Sequence, residues 1–281
     1  AKRFDGERSY EYLKRICALG PRMSGSKGMA AQQKLLIEHF RKLKLRVDLQ
    51  RIPPLQHPYT GQAVEVANLI VQCRPDAKQR ILLCAHYDTL PYPDEERNPR
   101  LQRADFIGAN DGGSGVAVLM EMAHHVKELP EDFGLDFVFF DAEEFVFRRK
   151  GRYFVGSEFF ARNYVHKRPP YEYRAAVLLD MVGDRNLSIY FEKHSITWPE
   201  SSPLVKEIWT TASRLGVKEF YPVDKYRYPI RDDHLALRNI AGIPACDIID
   251  YHFPDHTNSY WHTTQDTVEN CSAESLGKVG W

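Results

Sequence analysis

Short apolar runs recur along the chain, and segments with helical spacing lie between them. Residues 81–84, 137–140 and 176–179 are compact and unbroken, a pattern typical of strands that are buried on both faces of a sheet. Residues 116–126 and 157–164 indicate helices between these strands. Alternating strands and helices of this kind predict a largely parallel sheet that is covered on both sides.

A capped helix and a half-buried strand are predicted ahead of these runs. Ser24 or Ser26 can cap a helix over residues 24–44, in which apolar residues recur at helical spacing: Met29, Leu35, Leu36, Phe40 and Leu43. Residues 45–49 then alternate between apolar and polar side chains, as a strand does. We find no internal repeat, low-complexity segment or linker. We therefore expect residues 1–281 to form a single-domain three-layer α/β/α sandwich with a mixed, mostly parallel central sheet.

The composition excludes two classes of partner. Hydrophobic residues make up 43% and charged residues 27% of the chain, as in ordinary globular proteins. Lys plus Arg and Asp plus Glu both count 38, so no net field favours nucleic acid or an anionic membrane surface. No apolar run approaches the roughly 20 residues that a bilayer span needs. We expect neither a nucleic-acid partner nor a membrane span.

The cysteines and the amino-terminal residues leave the compartment open. The five cysteines are odd in number, widely spaced and without a CxxC pair, so they indicate neither a disulfide framework nor a cysteine zinc site. Residues 1–5 have no signal-peptide features. Export, to the periplasm or the medium, is favoured if this end is a trimmed mature one.

Acids and histidines follow each buried run. Residues 81–84 lead to His86 and Asp88, residues 137–140 lead to the pair Glu143 and Glu144, and residues 176–179 lead to Asp180: each polar group follows its run directly or within a few residues. In open α/β sheets, ligands bind outside the carboxyl ends of the strands. These side chains are therefore predicted to converge, although they are far apart in sequence.

Two further residues complete a candidate zinc site. Asp111 lies in a glycine-rich segment just before a predicted helix, and His262 comes from the far end of the chain. Converging carboxylates repel one another unless a cation or proton compensates. Imidazole with carboxylate suits zinc, and catalytic zinc sites have three protein ligands and one exchangeable position. In the tandem pair, one of Glu143 and Glu144 can bind the metal while the other acts as general base.

Each of these motifs has an ordinary structural explanation when it is taken alone. A lone Glu-Glu pair is usually a solvated surface pair, and Asn-Asp-Gly-Gly is a turn in most proteins. Their joint occurrence, in order and at the ends of predicted strands, favours the metal site.

The ordered residues resemble the metal site of the M28 zinc aminopeptidases and their relatives, the glutaminyl cyclases. The resemblance runs from about residue 20 to the carboxyl-terminal end and rests on His86, Asp88, Asn110, Asp111, Glu143, Glu144, Asp180 and His262. It implies the zinc aminopeptidase/phosphorylase-hydrolase-like fold. It also implies that the substrates are the amino-terminal ends of peptides or proteins.

Several features resemble the cyclase branch. Asp232 opens an Asp-Asp-His segment, Trp261 directly precedes His262, and residues 145–155 form a longer link than simple aminopeptidases have. Asp247 departs from the pattern, because animal cyclases carry a histidine at that position. The chain therefore resembles bacterial members of the group more than animal ones.

The cyclase resemblance implies one zinc ion, which Asp111, Glu144 and His262 hold. The side-chain amide of an N-terminal glutamine would bind the metal, and its own α-amine would attack it. Glu143 would carry the proton from the amine to the departing ammonia, and the product would be a pyroglutamyl peptide.

The same resemblance implies roles for residues around the metal. Asp180 would orient the amine, and Asp232 would form a hydrogen bond near the leaving group. Trp261 and Phe253 would form walls of the substrate pocket. Asp247 would belong to the same substrate pocket, in place of the histidine of animal cyclases, and could pair with Asp232 if one of the two carries a proton.

An M28 aminopeptidase that hydrolyses the N-terminal residue is the alternative. It would bind two zinc ions: Asp111 bridges them, His86 and Asp180 join one metal, and Glu144 and His262 join the other. The same general base would then deprotonate a bridging water that attacks the peptide carbonyl. All of the possible ligands are present under both hypotheses, so the ligand inventory does not separate them.

A binding or receptor domain that keeps the fold without catalysis is a third hypothesis. Such proteins usually lose a ligand or the base. Retention of Glu143 and of every ligand argues against it.

Overall fold

The computed structural model describes residues 3–130, 132–148 and 150–281. Its strands are β1 (Arg46–Gln56), β2 (Ala63–Cys73), β3 (Gln79–His86), β4 (Phe133–Phe140), β5 (Glu144–Phe147), β6 (Lys150–Tyr153), β7 (Glu172–Asp180), β8 (Ile189–Tyr190), β9 (Phe220–Tyr221) and β10 (Ala245–Ile249). Its α-helices are α1 (Gly6–Cys17), α2 (Lys27–Lys42), α3 (Gly115–Met122), α4 (Val155–Lys167), α5 (Lys193–Thr197), α6 (Ser202–Arg214), α7 (His234–Asn239) and α8 (Ala273–Gly280). Across these ranges, no helix has both the length and the apolarity that a membrane crossing requires.

The central sheet has the strand order β1-β2-β4-β3-β7-β10. The pairings of β4 with β3, β3 with β7 and β7 with β10 are parallel. The pairings of β1 with β2 and β2 with β4 are antiparallel. The sheet is thus mixed and mostly parallel, as the sequence predicts.

Both faces of the sheet are buried. Because successive side chains of a strand point to opposite sides, a single strand contributes to the cores on both faces. Phe137 and Phe139 of β4 pack into the larger core with apolar residues of α1, α2, α3, α6 and α8. Val138 and Phe140 of the same strand pack on the other side with residues of α4 and α7. This arrangement confirms the three-layer α/β/α sandwich.

Helix α2 is shorter than the helix predicted over residues 24–44, and only one of the two candidate serines caps it. Helix α2 begins after Ser26, whose side chain accepts a hydrogen bond from the Met29 backbone N–H at 3.1 Å. Ser24 instead donates to the carboxylate of Asp141 at 2.7 Å. The helix predicted over residues 116–126 also divides, because α3 continues as the 3-10 segment Ala123–Glu128.

The elements that the sequence analysis did not predict include strand β2 and the β5–β6 hairpin. Strand β2 lies between β1 and β4 and is antiparallel to both. The long link at residues 145–155 forms most of the β5–β6 hairpin, in which Glu144 pairs with Tyr153. This hairpin starts at a candidate metal ligand and therefore connects that ligand to the cavity wall described below.

Candidate metal centre and substrate cavity

The polar residues predicted to converge lie at one edge of the sheet. His86 is the last residue of β3 and Asp180 is the last residue of β7. Glu143 and Glu144 follow β4, which lies beside β3. Because these strands are parallel, their carboxyl ends bring the side chains together.

Asp111 joins two groups of candidate ligands. Its Oδ1 atom lies 3.0 Å from Nε2 of His86, which is 3.2 Å from Oδ1 of Asp180. Its Oδ2 atom lies 3.4 Å from Nε2 of His262, which is 3.1 Å from Oε1 of Glu144. Within each group the donor atoms lie within 4.8 Å of one another.

The donor set fits zinc, which binds imidazole nitrogen and carboxylate oxygen. Burial raises the pKa of Glu144 to about 8, so this carboxyl holds a proton near neutral pH unless a cation replaces it. Burial would also raise the pKa of Asp111, but hydrogen bonds from His262 and His86 hold that pKa below its ordinary value. Asp111 is therefore charged and ready to bind a metal.

His262 is held from several sides. Its backbone has a φ of 55°, and its Nδ1 atom lies 2.7 Å from Oδ1 of Asp94. The ring of Trp261 stacks on the imidazole at a centroid distance of 3.8 Å, and Phe106 meets it edge-on at 6.0 Å. A metal-binding histidine commonly uses its other ring nitrogen in this way, which fixes the direction of the ligand atom.

Asp88 positions the Glu143–Glu144 pair through the backbone. Its two carboxylate oxygens accept hydrogen bonds from the N–H groups of Glu143 and Glu144 at 3.1 Å and 3.0 Å. Ala142 just before them has a φ of 57°, so the chain turns sharply after β4. The second oxygen of Glu144 accepts from the Leu90 N–H at 2.9 Å, which leaves Oε1 to face His262.

Glu143 has the surroundings of a general base. Its carboxyl lines the cavity, and Oε2 lies 4.0 Å from Nδ1 of His86. Burial is the main cause that raises the pKa of Glu143 well above its ordinary value. A carboxyl with a raised pKa is better suited to accept and return a proton than an ordinary glutamate is.

The loop that carries Asp111 is held by residues that the sequence analysis missed. The carboxylate of Asp266 accepts hydrogen bonds from the N–H groups of Asn110 and Asp111 at 2.7 Å and 3.1 Å. The buried guanidinium of Arg22 donates to the Gly108 carbonyl at 2.8 Å. Asp266 lies 156 residues after Asn110 in the sequence. No local sequence pattern distinguishes it, so only the three-dimensional structure identifies it.

The metal centre forms the floor of a cavity of about 460 Å³. Trp261, Tyr251, Met181 and Ile249 supply apolar and aromatic wall surface. Glu143 lies at the cavity surface beside the candidate ligands. A small side chain entering this space would meet the candidate ligands, Glu143 and an aromatic wall together.

Phe253 corrects one expectation about this wall. Its side chain is fully buried and packs with Met181 and Ile249, behind the cavity surface. Its ring meets Tyr260 edge-on at 5.4 Å. Tyr251 lines the cavity in its place, and Phe253 supports the wall from behind.

Asp232 lies at the cavity surface, close to the metal centre. It is 4% exposed, and its Oδ1 atom accepts a hydrogen bond from the Asp233 N–H at 2.6 Å. Its Oδ2 atom has no hydrogen-bond partner among the described residues. Burial, followed by the charge of Asp180, raises the pKa of Asp232 well above its ordinary value.

Asp247 lies deeper than the pocket position expected of it. It is fully buried in β10, and neither carboxylate oxygen has a hydrogen-bond partner in the described part of the chain. Nδ1 of His234 is 3.6 Å from its Oδ2 atom. Burial, and then the charge of Asp232, raises the pKa of Asp247 well above its ordinary value. Asp247 is therefore not among the residues that line the cavity.

The fold and the ligand set together define a metal-dependent α/β enzyme. Within that class, the chain belongs to peptidase family M28, which it matches over residues 68–281. Zinc is the metal that this family and the donor set support.

The relatives include both cyclases and exopeptidases. The glutaminyl cyclase of Fimbriiglobus ruber is 36% identical with a TM-score of 0.89, over 100% of this chain and 94% of that one. A Zn-dependent exopeptidase from Parabacteroides distasonis is 32% identical with a TM-score of 0.88, over 99% and 96%. The glutaminyl-peptide cyclotransferase of Bothrops jararaca is 28% identical over 243 residues, which cover 76% of this chain. The match spans 62% of that relative's own length.

Proposed function

We propose that this protein is a zinc-dependent glutaminyl-peptide cyclotransferase. It converts the N-terminal glutamine of peptides or proteins to pyroglutamate and releases ammonia. One zinc ion bound by Asp111, Glu144 and His262 suffices for this reaction. The likeness to the Fimbriiglobus ruber cyclase over the whole chain supports the proposal.

The observation that carries the choice is the free Oδ2 atom of Asp232. A buried polar atom without a partner is costly, and the residue that carries this one lines the cavity beside the candidate metal centre. Cyclisation needs a hydrogen-bonding group for the amide nitrogen that leaves as ammonia. Asp232 supplies that group, and its raised pKa lets it act as donor or acceptor.

The reaction is intramolecular, so the walls act mainly by holding the substrate in a reactive conformation. Zinc, when bound, supplies polarisation of the side-chain amide carbonyl. Trp261 stacks on His262 and provides a flat apolar surface for the glutamine methylene groups. Asp180 lines the cavity near Asp111 and accepts a hydrogen bond from the α-amine.

Glu143 moves the proton. The α-amine nitrogen forms a bond to the side-chain amide carbon while its proton passes to the Glu143 carboxylate. The bond from that carbon to the amide nitrogen then breaks, and the same carboxyl returns the proton to the leaving nitrogen. Ammonia departs and the five-membered lactam remains, so atoms and charge balance.

An assay with two substrates tests the proposal. Purified zinc-loaded protein is given an N-terminal glutamine peptide and an aminoacyl chromogenic substrate in parallel. Ammonia release with formation of the pyroglutamyl peptide supports the cyclase. Release of the free N-terminal residue without ammonia contradicts it.

An M28 aminopeptidase is the second candidate, and the position of Asp111 favours it. The two oxygens of Asp111 face different histidines, His86 and His262, so Asp111 would be able to hold a metal ion with each of them. The structural match to the exopeptidase relative covers almost the whole chain. In that case Asp180 is a metal ligand, and Glu143 deprotonates a water that attacks the peptide carbonyl. Two zinc ions per chain with residue release would establish this function.

A further inference from the structure

One wall of the cavity is a continuous segment, residues 226–232, that is held at both ends. The hydroxyl of buried Tyr226 donates to the Ile249 carbonyl at 2.7 Å. The N–H of buried Ile230 donates to the carboxylate of Glu192 at 3.2 Å. Between and beyond these anchors, the side chains of Arg227 and Arg231 are exposed. The segment therefore places two cations at the cavity mouth on a fixed backbone.

Charge is segregated along this cavity. The acids that line it are all buried at the metal end: Asp111, Glu143, Glu144, Asp180 and Asp232. The lining arginines, Arg227 and Arg231, are both exposed. Residues 252–258 contribute His252, His256 and Asn258 to the lining. The acid of this segment, Asp255, is not a lining residue, and its carboxylate accepts hydrogen bonds from Thr257. The mouth of the cavity is thus positive while its floor is negative.

Neither guanidinium is paired with an acid among the described residues. In the described part of the chain, no carboxylate forms an ion pair with Arg227 or Arg231. Arg227 lies over the ring of Tyr228 at 5.0 Å, and Arg231 lies over Phe154, a lining residue, at 6.0 Å. Stacking restrains a guanidinium plane but leaves its N–H groups available at the edges. Those groups match a carboxylate in geometry.

We propose that Arg227 and Arg231 form a subsite for a carboxylate that follows the N-terminal residue of the substrate. The inference rests on the proposed function only in placing the substrate's N-terminal residue at the metal centre. The next residues must then leave through the mouth, where these two arginines lie. The enzyme thus favours acidic peptides over neutral ones and disfavours peptides with lysine at the same positions.

The carboxylate has two possible sources, an Asp or Glu side chain and the terminal carboxylate of a very short peptide. Amidated tripeptides separate them. Gln-Glu-Ala-amide, Gln-Gln-Ala-amide and Gln-Lys-Ala-amide vary only the second side chain. Gln-Gln-Ala with a free terminus adds the carboxylate at the end instead.

The measured quantity is the ratio of kcat/KM between the acidic and the neutral amidated peptide. Exposed ion pairs contribute little individually, so we expect a preference of about five-fold at low salt. It should fall toward unity in 0.5 M NaCl, because the Debye length is then only about 4 Å. A ratio that is indifferent to salt and close to one overturns the proposal.

Charge reversal gives the sharper test. The double variant Arg227→Glu/Arg231→Glu should invert the order, so that the lysine peptide becomes the better substrate. Arg41→Gln, which changes an exposed arginine on α2 outside the cavity, is the matched control and should keep the wild-type order. An unchanged order in the double variant overturns the subsite. Because each ratio is taken within one variant, a general loss of activity cancels.

Binding measurements keep this test separate from the test of the reaction. The same peptides are titrated into the zinc-loaded Glu143→Gln variant, with and without the arginine changes, by calorimetry. A charge preference in Kd that the double variant inverts supports the subsite, whichever product the active enzyme forms. Pyroglutamate formation with no charge preference overturns the subsite and leaves the cyclase function intact.

Discussion

Oδ1 of Asp94 lies 2.7 Å from Nδ1 of His262, while Nε2 of the same ring faces Asp111 and Glu144. The carboxylate accepts the Nδ1–H and so fixes the tautomer in which Nε2 is free to bind zinc. Asp94 lies in a loop, 168 residues before the histidine in the sequence. We therefore expect the affinity of the proposed zinc site to depend on Asp94, a residue that is not itself a proposed ligand.

Asp94→Asn should weaken zinc binding by about 10- to 100-fold, because such outer partners of a ligating histidine have effects of this size. Competition with a chromophoric chelator measures the affinity directly. Glu95→Gln is the matched control, since Glu95 contacts His262 only through its backbone N–H. Equal zinc affinity in Asp94→Asn and wild type would show that the hydrogen bond is not needed.

Glu143→Gln should lower kcat by about 10²- to 10⁴-fold, the usual contribution of a general acid–base group. The amide keeps the size of the side chain but cannot accept the proton. Zinc content, by elemental analysis, should equal that of wild type because Glu144 remains. Full turnover in this variant would remove Glu143 from the proton transfer.

Replacement of each histidine should distinguish one zinc ion from two. His262→Ala removes a proposed ligand. It should lower zinc affinity by more than about 100-fold, the largest effect expected when a residue that only hydrogen-bonds to a ligand is changed. His86→Ala should keep one zinc per chain if the protein is the cyclase. A fall from two ions to one in His86→Ala, by elemental analysis, would instead support the aminopeptidase.

The free energy of unfolding of Asp247→Asn, relative to that of wild type, should increase as the pH rises. Burial, and then Asp232, raises the pKa of Asp247, so above the unfolded pKa of about 3.9 the folded state binds more protons than the unfolded state. Wild-type stability therefore falls as the pH rises from that value through the folded pKa. The asparagine variant lacks this loss.

Urea denaturation at pH 5 and pH 8 measures the difference. Zinc saturation is kept equal at both values. The gap between the variants should widen with pH, by at most about 1.4 kcal/mol per pH unit. A gap that is constant with pH would mean that Asp247 is ionised in the folded protein throughout this range.

The sequence was sufficient to predict the layers and the convergence of the ligands. The run at residues 137–140 is apolar at every position, so both faces of β4 had to be covered. His86 and Asp180 end parallel strands that are neighbours in the sheet. The alternation of strands and helices predicted that the strands are parallel, but not which of them are neighbours. Their convergence needed no knowledge of the loops.

The supporting contacts could not be predicted, because they depend on how loops fold back. Asp94 and Asp266 lie in segments without periodic pattern, and their partners are distant in sequence. Phe253 was placed in the cavity wall by resemblance, but a buried aromatic and a lining aromatic look alike in sequence. Strand β2 was missed, and its position between β1 and β4 is set by long-range pairing.

The carboxylate of Asp88 accepts hydrogen bonds from the backbone N–H groups of both glutamates, so the proposed base and a proposed zinc ligand share one support. A lineage that changes its reaction cannot shift one carboxylate without disturbing the other. New substrates must therefore be acquired at the walls, where residues such as Arg227 can be exchanged at little cost to the centre. Changes of substrate preference are therefore expected at the entrance of the cavity rather than at the metal centre.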